Sequence, residues 1–191
     1  MEKCKALDLK IFCYKGEYFK ENLGVPWSEG KYSYASDGVI LIRVVRFPDI
    51  PENEQARSVN RVTDFLNKGV DTWVQVPNIT PEKKFCSFCG GKGFIYFSDI
   101  VFGKTKENCE DCDGTGYIDK EIVVEIEEVF FNNKYLRMLL TLPGVKMALL
   151  DKIRAPAKIK FDGGDGLLMP MLAPDRYSDV KIITLNPIIG C

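Results

Sequence analysis

One pattern of cysteine and glycine occurs twice in the chain and restricts its fold more than any other feature. Both copies read C-x-x-C-x-G-x-G, the first beginning at Cys86 and the second at Cys109, with nineteen residues (90–108) between the two cysteine pairs. This spacing lies within the range for a site in which four thiolates hold one zinc ion. The glycines permit positive φ, so the chain can turn back without a side chain crowding the sulfurs.

The matched pair therefore predicts a single structural Zn²⁺ held by Cys86, Cys89, Cys109 and Cys112. Two alternatives remain open from the residues alone, namely a redox-active dithiol and unrelated buried thiols. The other cysteines, Cys4, Cys13 and Cys191, are expected to be bystanders, because lone cysteines are commonly small buried or terminal residues.

The sequence contains no histidine, and this excludes several kinds of active site. Ser-His-Asp triads, Cys-His dyads and histidine-ligated catalytic metals all require that residue. A site closed by four thiolates has no open position for water or substrate, which is typical of structural zinc. We therefore expect a protein that is not an enzyme, although catalysis by carboxylates or lysines stays open.

Length and charge set further limits on organisation and partners. A chain of 191 residues predicts one domain or two small ones. Its net charge of −1 supplies no overall positive field for nucleic acid, although a local patch is compatible with it. The absence of a long apolar run predicts no membrane span, and the N-terminus lacks the apolar segment of a signal peptide. We expect a cytoplasmic location, where thiols stay reduced.

Residues 85–117 resemble the cysteine-rich zinc region of the DnaJ co-chaperones, which is built from C-x-x-C-x-G-x-G units. That family has four units and binds two zinc ions, whereas this chain has two units, enough for one ion. The family's His-Pro-Asp motif is also missing here. The resemblance therefore implies a metal-binding hairpin and not a co-chaperone.

Hydrophobic periodicity and turn signals predict an α+β fold. Predicted strands cover residues 7–14, 31–35, 39–47, 72–76, 122–130, 145–150, 157–161 and 167–172, and predicted helices cover residues 56–68 and 132–142. Tight turns are expected at Asp37-Gly38 and at Asp162–Gly166. Residues 77–84 read as a linker, residues 94–97 and 100–102 as a ribbon that turns near Gly103, and the last twenty residues as an extra strand or a tail.

The C-terminal part is similar to the last domain of a bacterial DNA polymerase sliding clamp (the β subunit). Three features in order carry the similarity: Phe131-Asn132-Asn133-Lys134-Tyr135-Leu136 opening a helix, the hairpin at Asp162–Gly166, and Leu168-Met169-Pro170-Met171. In that family the corresponding final segment helps line a groove for partner peptides. The resemblance implies Met169, Pro170 and Met171 as partner-binding residues, and an ordinary edge strand is the alternative.

Together these observations predict a sliding-clamp-like antiparallel sheet with one or two packed helices, formed by residues 1–76 and 121–191. A zinc-binding β-hairpin is inserted at 77–120. The expected function is that of a non-catalytic zinc-binding adaptor in DNA replication or recombination, of a kind that would suit a phage or mobile element. It would bind a protein partner, with DNA and the oligomeric state left open. The alternatives are a zinc-dependent chaperone-like or regulatory peptide-binding protein and a thiol oxidoreductase.

Overall fold

Strands form where β-branched and aromatic residues cluster, as the pleated, half-buried surface of a sheet favours. The computed structural model describes residues 7–16, 23–52, 60–99, 103–150, 155–173 and 180–185. Within them, mostly antiparallel strands and two α-helices confirm the predicted α+β class. In chain order the elements are β1 (Trp27–Glu29), β2 (Tyr32–Ser36), β3 (Ile40–Val45), α1 (Asn60–Asn67), β4 (Val74–Gln75), β5 (Lys83–Phe85), β6 (Phe94–Asp99), β7 (Gly103–Asn108), β8 (Tyr117–Asp119), β9 (Ile122–Ile126), β10 (Val129–Asn132), α2 (Asn133–Leu139), β11 (Lys146–Leu149), β12 (Ala157–Phe161), β13 (Gly164–Leu168) and β14 (Lys181–Leu185).

A seven-stranded antiparallel sheet with the order β1-β2-β3-β13-β12-β11-β4 forms the largest layer. Its inner face buries alternate residues of the central strands, among them Ile42 of β3 and Ile159 of β12. These pack in one core with β9, β10 and α2, which contribute Val124, Phe131 and Leu136. Each fully buried side chain of this kind stabilises the fold by about 1.5–3 kcal/mol relative to an exposed one. The main core therefore lies between the seven-stranded sheet and the layer formed by β9, β10 and α2.

On the opposite, outer face of the same sheet, residues of α1 pack over part of the surface that the structure describes. Leu66 of α1 packs there against Trp27, Tyr34, Leu41 and Leu167. The rings of Trp27 and Tyr34 stack with their centroids 5.7 Å apart. The remainder of the outer face carries Lys146 of β11, Lys158 and Lys160 of β12, Asp165 of β13 and Arg43 of β3, with Ala148 and Val45 between them.

A three-stranded sheet of order β10-β9-β14 completes the layer around α2. The single strand predicted over 122–130 is wrong, because the chain turns at Glu127 and Glu128 and returns as β10. Both glutamates have positive φ, 49° and 66°, so the turn lacks the glycine or asparagine that would mark it in a sequence. Strand β14 runs parallel to β9 and is the extra strand predicted near the C-terminus.

The segment predicted as a strand over 7–14 is also wrong, since Leu9–Phe12 forms a 3-10 helix. The Asp8 carboxylate accepts a hydrogen bond from the Lys10 N–H at 3.0 Å and caps that helix. Leu9 and Phe12, three residues apart, are thereby placed together in the core. The alternation of apolar residues in this segment is thus satisfied by one helical turn.

The two hairpin predictions in the large sheet fare differently. The β2–β3 hairpin is confirmed, and the Asp37 carboxylate accepts hydrogen bonds from the Val39 and Ile40 N–H groups. The predicted loop Asp162–Gly166 is too long, because β13 already begins at Gly164. Glycine is needed inside that strand, since a β-carbon on Gly164 would lie 2.4 Å from the Arg43 carbonyl oxygen of β3.

Both predicted helices are present with shorter ends. Helix α1 covers Asn60–Asn67, and the earlier residues of that prediction lie outside the described residues. Helix α2 begins as predicted, with the Asn132 side chain accepting from the Lys134 N–H at 2.9 Å, but ends at Leu139. Neither helix is long and apolar enough to cross a membrane.

The cysteine-rich part consists of two separate two-stranded sheets, β5–β8 and β6–β7. The first predicted strand of the ribbon, 94–97, is confirmed within β6, whereas the second, 100–102, lies outside the described residues. The strand that pairs with β6 is β7, and the turn predicted near Gly103 is wrong, because Gly103 lies inside β7 and pairs with Asp99. Strand β7 is almost entirely polar, so hydrophobic periodicity does not mark it. Part of the predicted linker 77–84 is the start of β5. The division into residues 1–76 plus 121–191 and an inserted 77–120 stays a prediction.

Candidate metal centre

The two small sheets bring the two cysteine pairs together. Cys86 directly follows β5, and Cys109 directly follows β7. Pairing of Phe85 with Tyr117 and of Phe94 with Asn108 fixes the chain on both sides of each cysteine turn. We call the segment from β5 to β8 the cysteine unit.

Within the cysteine unit the four sulfurs predicted as metal ligands form one compact cluster. The Sγ atoms of Cys86, Cys89, Cys109 and Cys112 all lie within 4.8 Å of one another. Two of these distances, Cys86 to Cys109 and Cys89 to Cys112, are 3.8 Å. They are far longer than a disulfide bond of about 2.05 Å. A tetrahedron with metal–sulfur bonds of about 2.3 Å has edges of about 3.8 Å, so the cluster could hold a four-coordinate metal ion.

The cluster is closed to solvent, because none of the four cysteines is more than 6% exposed. Ile95 and Ile118 pack against the cysteines from the flanking strands. A ligand sphere of four buried sulfurs leaves no position for a substrate or a water molecule. The cluster could hold a metal ion, and a closed set of sulfur ligands is typical of structural sites.

Backbone groups aimed at the sulfurs favour their ionised form. The Gly93 N–H donates to Cys89 Sγ, and the Gly116 N–H donates to Cys112 Sγ, both at 3.2 Å. Burial raises the pKa of the Cys89 thiol, but hydrogen bonds from Gly93 and from neighbouring thiols outweigh burial and lower this pKa to about 7. Burial and hydrogen bonds to the other thiols raise the pKa of Cys109 to about 12. A cation between the sulfurs would favour ionisation of Cys109, whose raised pKa otherwise keeps it protonated.

The two cysteine turns are related by a local two-fold arrangement of hydrogen bonds. The Cys86 N–H donates to the Gly116 carbonyl, and the Cys109 N–H donates to the Gly93 carbonyl, each at 2.9 Å. Each turn thus accepts a hydrogen bond from the first cysteine of the other. The sulfurs are held in place by backbone on both sides, which orients them before any metal binds.

The glycines have a second role that the sequence analysis missed. A β-carbon on Gly93 would lie 2.3 Å from the Gly114 carbonyl oxygen, and one on Gly116 would lie 2.3 Å from the Gly91 carbonyl oxygen. The four glycines of the two G-x-G segments, Gly91, Gly93, Gly114 and Gly116, have positive φ, as predicted. The repeated G-x-G is the signal for this contact, because it occurs at the same place in both copies.

The surface of the cysteine unit exposes several large aromatic side chains. They are Phe85, Phe88, Tyr96, Phe97 and Tyr117, with between 45% and 66% of each residue exposed. The rings of Phe85 and Tyr117 lie together across β5 and β8, with centroids 5.1 Å apart. Lone apolar residues are normal on a surface, whereas a group of aromatics on one small unit is typical of a binding surface.

The predicted partner-binding segment lies elsewhere in the fold. Met169 is 43% exposed, and its N–H donates to the Val39 carbonyl at 2.9 Å. Pro170 and Met171 are half-buried, and the Met171 N–H donates to the Phe130 carbonyl at 2.7 Å. The segment therefore links the seven-stranded sheet to β10. Its role in partner binding stays a prediction.

Cys13, which is expected to be a bystander, lies apart from the four-cysteine cluster. Cys13 is buried in the main core, and burial raises the pKa of its thiol to about 11, which leaves it neutral and unreactive. Cys4 and Cys191 lie outside the described residues.

Comparison of the chain with protein-family models, with curated proteins and with solved structures gives no match. The fold and the site define an α+β protein with a buried cluster of four cysteines that could hold a metal ion.

Proposed function

We propose that the four cysteines bind one Zn²⁺ and that this ion is structural. The observation that carries the proposal is the clustering of four buried sulfurs within 4.8 Å of one another, with two of the distances at 3.8 Å. Four-sulfur tetrahedral sites take zinc or iron, and the cytoplasmic, non-catalytic role expected for this chain favours zinc. Two-stranded sheets such as β5–β8 are marginally stable alone, so the ion would supply much of the folding energy of the cysteine unit.

For the whole chain we propose the role of a non-catalytic adaptor in DNA replication or recombination that binds a protein partner. The order of the helix start, the hairpin and the Met-Pro-Met segment supports this role, through its similarity to the sliding clamp. The exposed apolar side chains of Met169 and Leu172 suit contact with a partner.

Metal content in cysteine variants tests the first half of the proposal. We expect one zinc per chain in the wild type, and little or none in Cys86→Ser and Cys112→Ser. Cys13→Ser is the matched control, because Cys13 is also buried but lies in the main core. Amide exchange should lose protection in the cysteine unit of the first two variants while β3, β12 and β13 stay protected. Near-wild-type zinc in both variants would contradict the proposal.

Capture of partners from an extract of the protein's own host tests the adaptor role. The tagged chain is used with and without nuclease, beside the double variant Met169→Ala/Met171→Ala. Val25→Ala is the control, since Val25 is an exposed apolar residue elsewhere. We expect the wild type to capture replication or repair proteins both with and without nuclease. Only the double variant should fail to capture them. Equal capture by all three proteins, or partners unrelated to DNA, would contradict it.

The exposed aromatic residues of the cysteine unit favour a second candidate function, the zinc-dependent capture of extended peptides. Suppression of aggregation of a denatured client by the zinc-loaded chain, weakened in Phe88→Ser but not in Val25→Ser, would support it. The thiol oxidoreductase alternative requires accessible thiols, and the four thiols are buried. Reduction of insulin by the chain would revive that alternative.

A further inference from the structure

The part of the outer sheet face that α1 leaves open has an excess of positive charge. Register places Lys146 of β11 opposite Lys160 of β12, Lys160 opposite Asp165 of β13, and Asp165 opposite Arg43 of β3. Lys158 lies on the same face two residues before Lys160. The outer faces of these four strands therefore carry four cations and one carboxylate, in a chain whose net charge is −1.

This face is concave. A cavity of about 500 Å³ is lined by Arg43, Lys158, Lys160 and Asp165, and by the aromatic residues Tyr32 and Trp73. We call it the sheet-face cleft. The concentration of like charge in a concave surface strengthens the local field for an anion.

The charges in the cleft differ in how far they are already neutralised. Arg43 donates two hydrogen bonds to the Asp165 carboxylate, at 2.8 and 2.5 Å, and its guanidinium lies 4.7 Å from the centre of the Tyr32 ring. The Lys158 ammonium donates to the Lys68 carbonyl at 2.7 Å, near the end of α1.

Lys146 and Lys160 are different, since neither has an ion pair or a hydrogen bond from its side chain to the residues that the structure describes. Like charges directly opposite each other on adjacent strands destabilise a sheet. An anion bound between the two ammonium groups would remove that repulsion. The pair therefore has the chemistry of a binding site for phosphate.

We propose that the sheet-face cleft, together with Lys146 opposite Lys160 on the neighbouring strand, binds single-stranded nucleic acid, with backbone phosphates at Lys146 and Lys160 and a base stacked on Trp73. Unpaired bases expose faces that stack on aromatic and guanidinium planes, whereas a duplex hides them. An acidic peptide would match the charge but would leave the aromatic residues unused. The inference names a nucleic-acid class for the proposed adaptor and rests on that function, but it does not involve the metal centre.

Binding of a fluorescent oligothymidylate of about 12 nucleotides, followed by anisotropy, tests the proposal. With two phosphates neutralised, raising the salt from about 50 to 200 mM should weaken binding about sevenfold. A duplex of the same length and poly-glutamate should bind more weakly. Thymidine monophosphate should also bind more weakly, because it offers one phosphate. Equal binding of the monophosphate would assign the cleft to free nucleotides, and tighter binding of poly-glutamate would assign it to acidic peptides. Either result overturns the proposal.

Matched lysine variants locate the site. Lys146→Gln/Lys160→Gln should weaken binding about tenfold. It should also reduce the slope of the logarithm of the binding constant against the logarithm of the salt concentration by about 1.4. Lys92→Gln/Lys104→Gln removes the same charge from exposed positions of the cysteine unit and should change neither. Unchanged binding by the first variant, or absence of binding by the wild type, would contradict the proposal.

Trp73 gives an independent readout, because the other tryptophan, Trp27, is buried under α1. Stacking should quench fluorescence in the wild type, and Trp73→Phe should abolish most of that change. Zinc content and partner capture are measured on the same preparations. If zinc content and partner capture are intact but the oligonucleotide does not bind, the cleft proposal alone fails. If the oligonucleotide binds but no replication or repair protein is captured, the adaptor role alone fails.

Discussion

The backbones of Gly93 and Gly116 lie so close together that a β-carbon built on either residue would come within 3.3 Å of the other's nitrogen. The same β-carbons would overlap carbonyl oxygens at 2.3 Å, those of Gly114 and Gly91. Backbone atoms on both sides of this contact also hydrogen-bond to the cysteine sulfurs. The contact between the two glycines therefore couples the closure of the cysteine unit to the placement of its ligands.

We predict that Gly93→Ala weakens zinc binding by about 100-fold, at the upper end of effects from groups behind the metal ligands. Alanine at this position would clash with backbone that cannot move without displacing a sulfur. Gly90→Ala is the matched control, because Gly90 also has positive φ but a β-carbon there would meet no atom within 4 Å. Gly90→Ala should lower the stability of the turn by about 1–2 kcal/mol, because alanine would adopt a left-handed conformation there, without a clash near the sulfurs. Zinc competition with a chelator measures both, and equal affinities would show that the close contact is unimportant.

The turn at Glu127 and Glu128 predicts a stabilising substitution. Both residues adopt positive φ without being glycine, which costs about 1–2 kcal/mol each. Glu128→Gly should therefore raise the free energy of unfolding by about 1 kcal/mol in urea denaturation. Glu107→Gly, at an exposed position within β7, should lower the stability of its ribbon instead. A loss of stability in Glu128→Gly would mean that the glutamate side chain compensates for the strain.

The Arg43–Asp165 ion pair predicts a loss of stability on removal of its charge. The two side chains are only 11% and 24% exposed, so they are little screened by solvent. Asp165→Asn should lower the free energy of unfolding by about 1–3 kcal/mol. Glu52→Gln is the control, because the Arg46–Glu52 pair is exposed and should contribute little. Similar losses in both variants would argue against a special role for the half-buried pair.

The hydrogen bond from Tyr135 to Asp37 predicts a dependence of stability on alkaline pH. The hydroxyl donates to the carboxylate at 2.8 Å, and burial, followed by this carboxylate, raises the pKa of Tyr135 well above its ordinary value near 10. The folded state therefore keeps the tyrosine proton where the unfolded state loses it. The contribution of this hydrogen bond to the free energy of unfolding is therefore complete below about pH 10 and declines as the pH rises further.

Tyr135→Phe should lower stability by about 1 kcal/mol at neutral pH and flatten its decline above pH 10, as measured by denaturation at a series of pH values. Tyr96→Phe, at a 63% exposed position, should leave the pH dependence unchanged. The same slope in wild type and Tyr135→Phe would exclude Tyr135 as its source.

The sequence predicts those features that depend on neighbours in the chain. The helix start at Asn132 and the hairpin at Asp37 are confirmed because each is made by one side chain capping its own backbone. The four cysteines also come together as their spacing predicts, since two short turns suffice to gather the sulfurs. The turn at Glu127 is missed because glutamate rarely adopts positive φ, so the sequence carries no signal for a turn there.

Features built from distant segments could not be predicted in this way. Arg43 and Asp165, 122 residues apart, meet only because β3 pairs with β13. The sheet-face cleft depends on the same pairing, because Arg43 and Asp165 both line it. The close contact of Gly93 with the second cysteine turn likewise requires both turns in place.

X-ray absorption at the metal of the purified chain tests the central claim most directly. The account predicts one zinc per chain with four sulfur neighbours at about 2.3 Å. Iron in place of zinc, nitrogen or oxygen among the ligands, or a chain that purifies folded without any metal would contradict it.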